Sequence, residues 1–240
     1  MDSAFGRIKL LIDESDFKQI RNSKVMVVGC GGVGAMCVEA LARMGVGTLI
    51  LVDHDVVNIT NLNRQVHALH STIGKKKIKA LKNRIMDIQE DIQVFDLDMF
   101  VNQDNISVFD QYEVDVIVDA IDTVSSKLLL IEYAQTHKID IVSCMGMGNR
   151  LDPTQIQVLP LRKTQGDPLA KVMRYQCRKQ GLDDRIMVVA SLEIPIKQNQ
   201  RLNESSILKE AMPPASSSFV PMAAGLACGH QVIKYLLKKE

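Results

Sequence analysis

Four glycines stand between an apolar run and a helix-like segment near the start of the chain. The run Lys24–Val28 leads into Gly29-Cys30-Gly31-Gly32-Val33-Gly34, and residues 35–44 have helical character. A strand that ends in a glycine turn at the start of a helix is typical of a phosphate site, because the first backbone N–H groups of the helix and its positive dipole end face the anion. The motif predicts a bound nucleotide. Alone, it does not distinguish a dinucleotide from a triphosphate.

Asp53 closes the next apolar run, Thr48–Val52. A carboxylate about 20 residues beyond such a glycine turn is placed to accept hydrogen bonds from the ribose of a nucleotide. The alternative is an aspartate that only caps the end of a strand. With the glycine turn, Asp53 suits a nicotinamide dehydrogenase as well as an ATP-using enzyme.

Three nitrogen donors favour the triphosphate. They are Asn61 and Arg64, in Asn61-Leu62-Asn63-Arg64-Gln65, and Lys77 at the start of a later helix. A nicotinamide cofactor has only a diphosphate, which the glycine turn already serves. An extra amide, guanidinium and ammonium suit a triphosphate, whose departing pyrophosphate gathers negative charge in the transition state.

A second acidic position follows the buried apolar run 114–118 in Asp119-Ala120-Ile121-Asp122-Thr123. Ligands of open α/β sheets bind at the carboxyl ends of the strands. Asp122 is therefore predicted to hold a Mg²⁺ ion that bridges phosphate oxygens. For Asp119 the position favours a structural cap of the strand.

The elements that must position these residues alternate between strand and helix. Strands are predicted at 24–28, 48–53, 92–97, 114–119 and 139–144, with helices at 35–44, 74–89 and 125–137 between them. After residue 150 we predict strands at 155–161 and 185–190, helices at 168–179 and 221–239, and a long, mobile loop at 193–218. The expected fold is α/β and Rossmann-like: a doubly wound, mostly parallel sheet with helices on both faces, antiparallel C-terminal strands and a final helix.

One domain, residues 1–240, is expected to contain three parts. Residues 1–23 form an amphipathic helical arm with Ile8, Leu11, Ile12, Phe17 and Ile20 on its apolar side. Residues 24–150 form the nucleotide-binding core, and residues 151–240 form a substrate-side extension. The final apolar stretch is interrupted by polar residues and is predicted to pack as a helix rather than to span a membrane. The start of the chain has no apolar export segment, and the five cysteines form no Cys-x-x-Cys pair, so we expect a reduced, cytoplasmic protein.

In this order, Gly29-x-Gly31-Gly32-x-Gly34, Asp53, Asn61-x-x-Arg64-Gln65, Lys77 and Asp122 resemble the ubiquitin-activating-enzyme-like superfamily, the ThiF-like adenylating proteins. The resemblance covers residues 7–150. It implies that ATP and Mg²⁺ are used to adenylate a carboxylate, that Asp53 binds ribose, that Asn61, Arg64 and Lys77 bind phosphates, and that Asp122 binds Mg²⁺. It further implies a homodimer, in which Arg7 reaches into the site of the partner subunit.

Further segments resemble one branch of the superfamily, the tRNA threonylcarbamoyladenosine dehydratases. These segments are residues 40–47, 60–69, 152–157, 164–170 and 217–225. The branch implies ATP-dependent activation of the carboxylate of threonylcarbamoyladenosine beside the tRNA anticodon, followed by cyclisation. No protein nucleophile is required, because the attacking group belongs to the same side chain.

Three other functions stay open from the sequence. An activator of a ubiquitin-like sulfur-carrier protein would use Cys144 or Cys177 as a nucleophile. A nicotinamide oxidoreductase and a nucleotide-sensing module without turnover are more distant. The sequence also leaves open whether a monovalent cation (K⁺ or Na⁺) binds in the C-terminal loop and whether a sulfur-relay protein assists.

The net charge is +1, yet the charges are unevenly spread along the chain. Residues 75–84 carry six basic side chains and no acid. A second basic run carries Arg162, Lys163, Lys171, Arg174, Arg178 and Lys179, while residues 91–122 contain acids and no Lys or Arg. A tRNA partner would leave such a footprint, although a solvated helix face explains either run equally well. Tyr175, in the second run, is expected either to stack on a base or to pack in the core.

Overall fold

The apolar runs between residues 24 and 144 form five parallel strands in the computed structural model, which describes residues 4–198 and 214–238. They are β1 (Lys24–Val28), β2 (Thr48–Val52), β3 (Gln93–Leu97), β4 (Val116–Asp119) and β5 (Asp140–Cys144). Two later strands, β6 (Ile156–Pro160) and β7 (Met187–Ser191), join the same sheet, and its order is β3-β2-β1-β4-β5-β7-β6. Only β6 runs antiparallel to its neighbour. The predicted α/β class is confirmed.

Helices cover both faces of the sheet. They are α1 (Glu14–Asn22), α2 (Gly32–Arg43), α3 (Lys77–Ile88), α4 (Val124–His137), α5 (Pro168–Gln180) and α6 (Phe219–Leu237). Along β1, Val25 and Val27 pack with α2, α3 and α6, whereas Met26 and Val28 pack with α4 and α5. Both faces of the strand are therefore buried, which is why its sequence is a continuous apolar run rather than an alternating one.

The strand order reverses beside β1, which pairs with β2 on one side and with β4 on the other. The chain leaves the sheet at the carboxyl ends of these strands. There the Gly29 N–H donates to the Val52 carbonyl and the Ala120 N–H donates to the Val28 carbonyl, each at 2.8 Å. Open α/β sheets bind their ligands at such a switch point.

The N-terminal arm differs from the predicted continuous helix. A short 3₁₀ helix, Ile8–Leu10, is separated from α1 by Asp13, whose side chain accepts a hydrogen bond from the Asp16 N–H at 2.8 Å. This N-cap begins a new helix and interrupts the apolar side of the arm. Phe17 is buried, whereas Leu11 is 81% exposed.

The C-terminal helix α6 begins two residues earlier than predicted and packs along α2. A Cβ on Gly225 would lie 2.4 Å from the Val33 carbonyl oxygen, so glycine allows the two helices to approach closely. Of the loop predicted at 193–218, residues 199–213 lie outside the described residues. None of the helices in the described part of the chain could span a membrane.

Candidate nucleotide-binding site

A cavity of about 640 Å³ lies at the carboxyl ends of the central strands. Its wall includes all but one of the cofactor-binding residues predicted from the sequence: Gly29, Gly31, Gly32, Asp53, Asn61, Arg64 and Lys77, together with Asp122. Gly34 is not in the lining but packs against Gly29, which is. Segments separated by almost a hundred residues in the chain therefore meet at one site.

The glycine turn is held by close backbone approaches. Gly29 has a φ of 92°, and a Cβ there would lie 2.7 Å from the Ala120 carbonyl oxygen. A Cβ on Gly34 would lie 1.8 Å from the Gly29 carbonyl oxygen. Gly31 faces open space instead, since a Cβ there would meet no atom within 4 Å. No described side chain caps the start of α2, so the N–H groups of its first turn are available to an anion at that point.

Asp53 lines the cavity and also accepts hydrogen bonds from two backbone N–H groups. It is 9% exposed, and one of its carboxylate oxygens accepts a hydrogen bond from the Cys30 N–H at 2.6 Å. The other oxygen accepts one from the Asp55 N–H at 2.8 Å. Because a carboxylate can accept about four hydrogen bonds, both oxygens retain capacity for a ribose hydroxyl.

Gly32 has a role that the sequence did not reveal. A Cβ on this residue would lie 3.3 Å from Cγ of Arg64, so the glycine lets the arginine cross the start of α2. The Arg64 guanidinium donates to the Thr60 carbonyl at 3.0 Å and to Oδ1 of Asn63 at 2.9 Å. These bonds hold the cation at the cavity wall and leave other guanidinium N–H groups for a phosphate.

Asn61 is buried at 8% exposure beside Arg64. Its side-chain oxygen accepts a hydrogen bond from the Asn58 N–H at 2.9 Å. The amide oxygen is thereby committed to the short 3₁₀ helix Ile59–Asn61, and the amide NH₂ group is the part that suits an anionic ligand.

Lys77 is held by a residue that sequence reasoning missed. Its ammonium lies 2.7 Å from Oδ2 of Asp55, and only 8% of the lysine side chain is exposed. Burial raises the pKa of the Asp55 carboxyl, but the hydrogen bond and charge of Lys77 outweigh burial and leave this pKa below its usual value. Asp55 is two residues beyond Asp53, so proximity to that carboxylate was the only available sequence signal.

The residues present fit a Mg²⁺ ion. Asp122 is exposed on the cavity wall, and its carboxylate accepts no hydrogen bond from any described residue. One carboxylate together with phosphates and waters is a usual Mg²⁺ environment. Asp53, His54 and Asp55 also bring ligand atoms within 4.8 Å of one another. However, Asp53 is engaged by backbone N–H groups and Asp55 by Lys77.

Behind Asp122 lies a fully buried ion pair. The Lys127 ammonium lies 2.9 Å from Oδ2 of Asp119, and neither side chain is exposed. The same ammonium donates to the Ile121 carbonyl at 3.0 Å and to the Cys144 carbonyl at 2.8 Å. Lys127 therefore joins the turn that carries Asp122 to the end of β5. Asp119 acts as the strand-end cap expected from the sequence, and Lys127 was missed.

A second buried ion pair lies in the lining of the cavity. Nη2 of Arg150 lies 3.0 Å from Oδ2 of Asp167, and the two side chains are at most 1% exposed. Asp167 also caps α5, accepting a hydrogen bond from the Ala170 N–H at 2.8 Å. Arg150 donates in addition to the Glu193 carbonyl at 3.0 Å. The loop after β5, the start of α5 and residue 193 are thus locked together.

All five cysteines and His67 are buried. Cys144 is 3% exposed at the cavity edge, and the Cys228 thiol is hydrogen-bonded to it. Burial raises the pKa of the Cys177 thiol to about 11. Burial lowers the pKa of His67 to about 4, assisted by the charges of Lys77 and Arg84, so this histidine is neutral near pH 7.

Arg7 is the one predicted catalytic residue that the structure does not bring to this cavity. It is exposed, and it directly precedes the 3₁₀ helix Ile8–Leu10. Two large apolar side chains stand beside it in the sequence, Leu10 at 73% exposure and Leu11 at 81%.

Comparisons with known proteins agree with this geometry. The model of the ThiF family matches residues 6–240. The chain belongs to the ThiF family. A tRNA threonylcarbamoyladenosine dehydratase from Bacillus subtilis (strain 168) is 42% identical over 240 residues, covering 98% of this chain and 94% of the relative.

Solved structures resemble this ThiF-family chain over almost its full length. The Escherichia coli tRNA N6-threonylcarbamoyladenosine dehydratase in complex with ATP has a TM-score of 0.88 at 32% identity, with 98% of this chain and 94% of that chain covered. Its complex with AMP has a TM-score of 0.89 with the same identity and coverage.

Proposed function

We propose that this protein is an ATP-dependent tRNA threonylcarbamoyladenosine dehydratase. The observation that carries the proposal is the cavity wall, where an uncapped helix start, Arg64, Lys77 and Asp122 meet. This set exceeds what the diphosphate of a nicotinamide cofactor needs and suits a triphosphate that loses pyrophosphate. The named relatives supply the substrate, which the geometry alone does not specify.

The chemistry has two steps. A carboxylate oxygen of threonylcarbamoyladenosine attacks the α-phosphorus of ATP and pyrophosphate leaves. A nucleophile of the same modified side chain then attacks the activated carbonyl carbon and releases its proton to solvent, the ring closes, and AMP leaves with the former carboxylate oxygen. The net change is loss of one water from the modified adenosine, coupled to cleavage of ATP into AMP and pyrophosphate. The second step gains its rate from proximity within one substrate.

Each predicted site residue has a role in this scheme. The N–H groups that follow Gly31 bind phosphate, and Asp53 accepts hydrogen bonds from the ribose. Asn61, Arg64 and Lys77 stabilise the charge that develops on the departing pyrophosphate. A Mg²⁺ ion bound at Asp122 would neutralise phosphate charge.

The protein is further proposed to act as a homodimer in which Arg7 enters the site of the second subunit. Arg7 is not among the residues that line its own cavity, and Leu10 and Leu11 beside it are exposed, which supports this arrangement. Paired apolar side chains of this size are typical of a contact surface. All five cysteines are free thiols, which suits the proposed cytoplasmic location. A monovalent cation and a sulfur-relay protein stay predictions.

The decisive experiment uses tRNA that carries threonylcarbamoyladenosine. With ATP and Mg²⁺, the protein is expected to convert this nucleoside to a product lighter by one water, with one AMP and one pyrophosphate released per conversion. Nucleoside mass spectrometry and phosphate analysis measure both. Unmodified tRNA is the control and should give neither product. Pyrophosphate release without a mass change in the correct substrate would contradict the dehydratase function.

A carrier-protein activator that forms a thioester makes a different prediction. We expect Cys144→Ala and Cys177→Ala each to retain dehydration and ATP cleavage within about twofold, because both thiols are buried and burial also raises the pKa of Cys177, which makes a poor nucleophile. Rates are compared with wild type after circular dichroism has shown equal folding. Loss of activity in a folded Cys144→Ala or Cys177→Ala variant would favour the carrier-protein alternative.

A further inference from the structure

Helix α5 presents an aromatic ring between lysines. Lys171, Tyr175 and Lys179 are spaced four residues apart, so they share one face of the helix and span about 12 Å along its axis. All three are exposed, and Tyr175 is 64% exposed. Core packing, one of the two roles expected for Tyr175, is therefore wrong. The ring lies on the surface among positive charges.

The charge of this face is not neutralised. Among the described residues, Lys163, Lys171 and Lys179 form no ion pair, whereas Arg178 pairs with Asp184 at 3.0 Å. Helix α3, which carries the other basic run, differs. There Lys76 pairs with Asp98 at 2.8 Å, and both Lys79 and Lys82 pair with Asp96. Asp96 and Asp98, at the end of β3, therefore neutralise much of the first basic run, whereas the lysines of α5 have no such acids paired with them among the described residues.

The face also starts at the proposed active site. Asp167, Pro168 and Leu169, at the beginning of α5, line the nucleotide cavity. The buried pair of Asp167 with Arg150 fixes that end of the helix. From the cavity, the 13 residues of α5 extend about 20 Å across the surface. A polyanion that places one residue in the cavity would meet Lys171, Tyr175 and Lys179 in turn.

We propose that this face of α5 binds the single-stranded anticodon loop of the tRNA, with Tyr175 stacked on an unpaired base and Lys171 and Lys179 on backbone phosphates. The proposal rests on the dehydratase function, which makes tRNA the substrate. Exposed aromatic rings beside basic side chains are the chemistry by which proteins bind unpaired nucleotides. An acidic protein surface would be complementary to the lysines but would give Tyr175 no flat partner.

The test measures tRNA binding directly, by fluorescence anisotropy over a series of salt concentrations. Tyr175→Ala is expected to weaken binding roughly 5- to 150-fold, while Tyr175→Phe, which keeps the ring, stays near wild type. The double variant Lys171→Gln/Lys179→Gln should weaken binding on the order of tenfold and reduce the salt slope by about one for each lysine. Its control of equal charge change is Lys18→Gln/Lys79→Gln, which removes two exposed lysines from α1 and α3, of which Lys79 is paired with Asp96.

Dehydration assays separate this surface from the function on which it rests. The α5 variants should raise KM for tRNA and leave KM for ATP unchanged. If wild type fails to dehydrate the substrate, the proposed function fails whatever the binding data show. If wild type dehydrates the modified tRNA but the α5 variants bind tRNA as tightly as the Lys18→Gln/Lys79→Gln control does, the proposed binding surface is wrong. A changed oligomeric state of the lysine variant, or equal competition by polyaspartate and single-stranded RNA, would likewise overturn the proposal.

Discussion

Replacing Arg64 by alanine is expected to lower ATP-dependent pyrophosphate release roughly 10²–10³-fold. The guanidinium lies on the cavity wall across the start of α2, where a triphosphate would meet the helix N-terminus. Charge that develops on a departing pyrophosphate is stabilised most by a donor that is already in place. The loss should therefore fall mainly on kcat, measured as pyrophosphate release with saturating ATP and modified tRNA.

Two comparison variants separate charge, geometry and stability in this experiment. Arg64→Lys keeps a cation but loses the planar fork of donors, so its rate should lie between those of wild type and Arg64→Ala. Arg43→Ala removes an arginine of α2 that is 57% exposed and should keep full activity, because Glu39 remains paired with Arg84. Wild-type pyrophosphate release by Arg64→Ala would refute the assignment of this residue to phosphate.

The same variant tests the placement of Arg7 across a dimer. Arg7→Ala and Arg64→Ala subunits are each expected to be inactive alone. After subunit exchange at equal amounts, half of the dimers are mixed, and each mixed dimer has one site with both arginines. Activity should then return to roughly a quarter of the wild-type value. No recovery in a mixture shown to have exchanged subunits would place Arg7 outside the partner's site.

The sequence predicted the core of the fold well because the strands carry their own signal. A strand buried on both faces must be apolar throughout, so β1, β2 and β4 were visible as runs, and the bounds of β1 matched to the residue. The glycine turn was equally visible, since the spacing of Gly29, Gly31 and Gly34 reflects backbone geometry within one short segment. The prediction of one continuous helix over the N-terminal arm was wrong because Asp13 starts a new helix in the middle of an apolar pattern.

What the sequence could not provide were pairings between distant charges. Nothing local in the chain indicates that Lys77 meets Asp55, that Arg150 meets Asp167, or that Asp96 pairs with two lysines of α3. Each of these depends on the order of strands in the sheet, which composition and periodicity do not specify. The uneven distribution of charge along the sequence therefore did not predict the surface charge of α3 correctly, whereas it did for α5.

The other substitution with a large expected effect changes Lys127, a residue that sequence reasoning overlooked entirely. Lys127→Met should lower the free energy of unfolding by about 3–5 kcal/mol. The substitution keeps the length of the buried side chain but leaves the Asp119 carboxylate without its cation, and it removes donors from the Ile121 and Cys144 carbonyls. Urea unfolding followed by circular dichroism measures the change. Lys9→Met, which breaks the exposed pair with Glu14, is the control and should cost at most about 1 kcal/mol.

A second substitution tests whether the unpaired charge of Asp119 causes the loss of stability in Lys127→Met. Adding Asp119→Asn to Lys127→Met removes the uncompensated carboxylate, so the double variant should be more stable than Lys127→Met alone. Activity should not return with stability, because the turn that carries Asp122 still lacks the Lys127 ammonium that joins it to β5. If the double variant regained full activity, the ion pair would serve folding alone. If Lys127→Met unfolded like wild type, the buried pair would make no net contribution, and the position of Asp122 would have to be fixed by the backbone of the switch point itself.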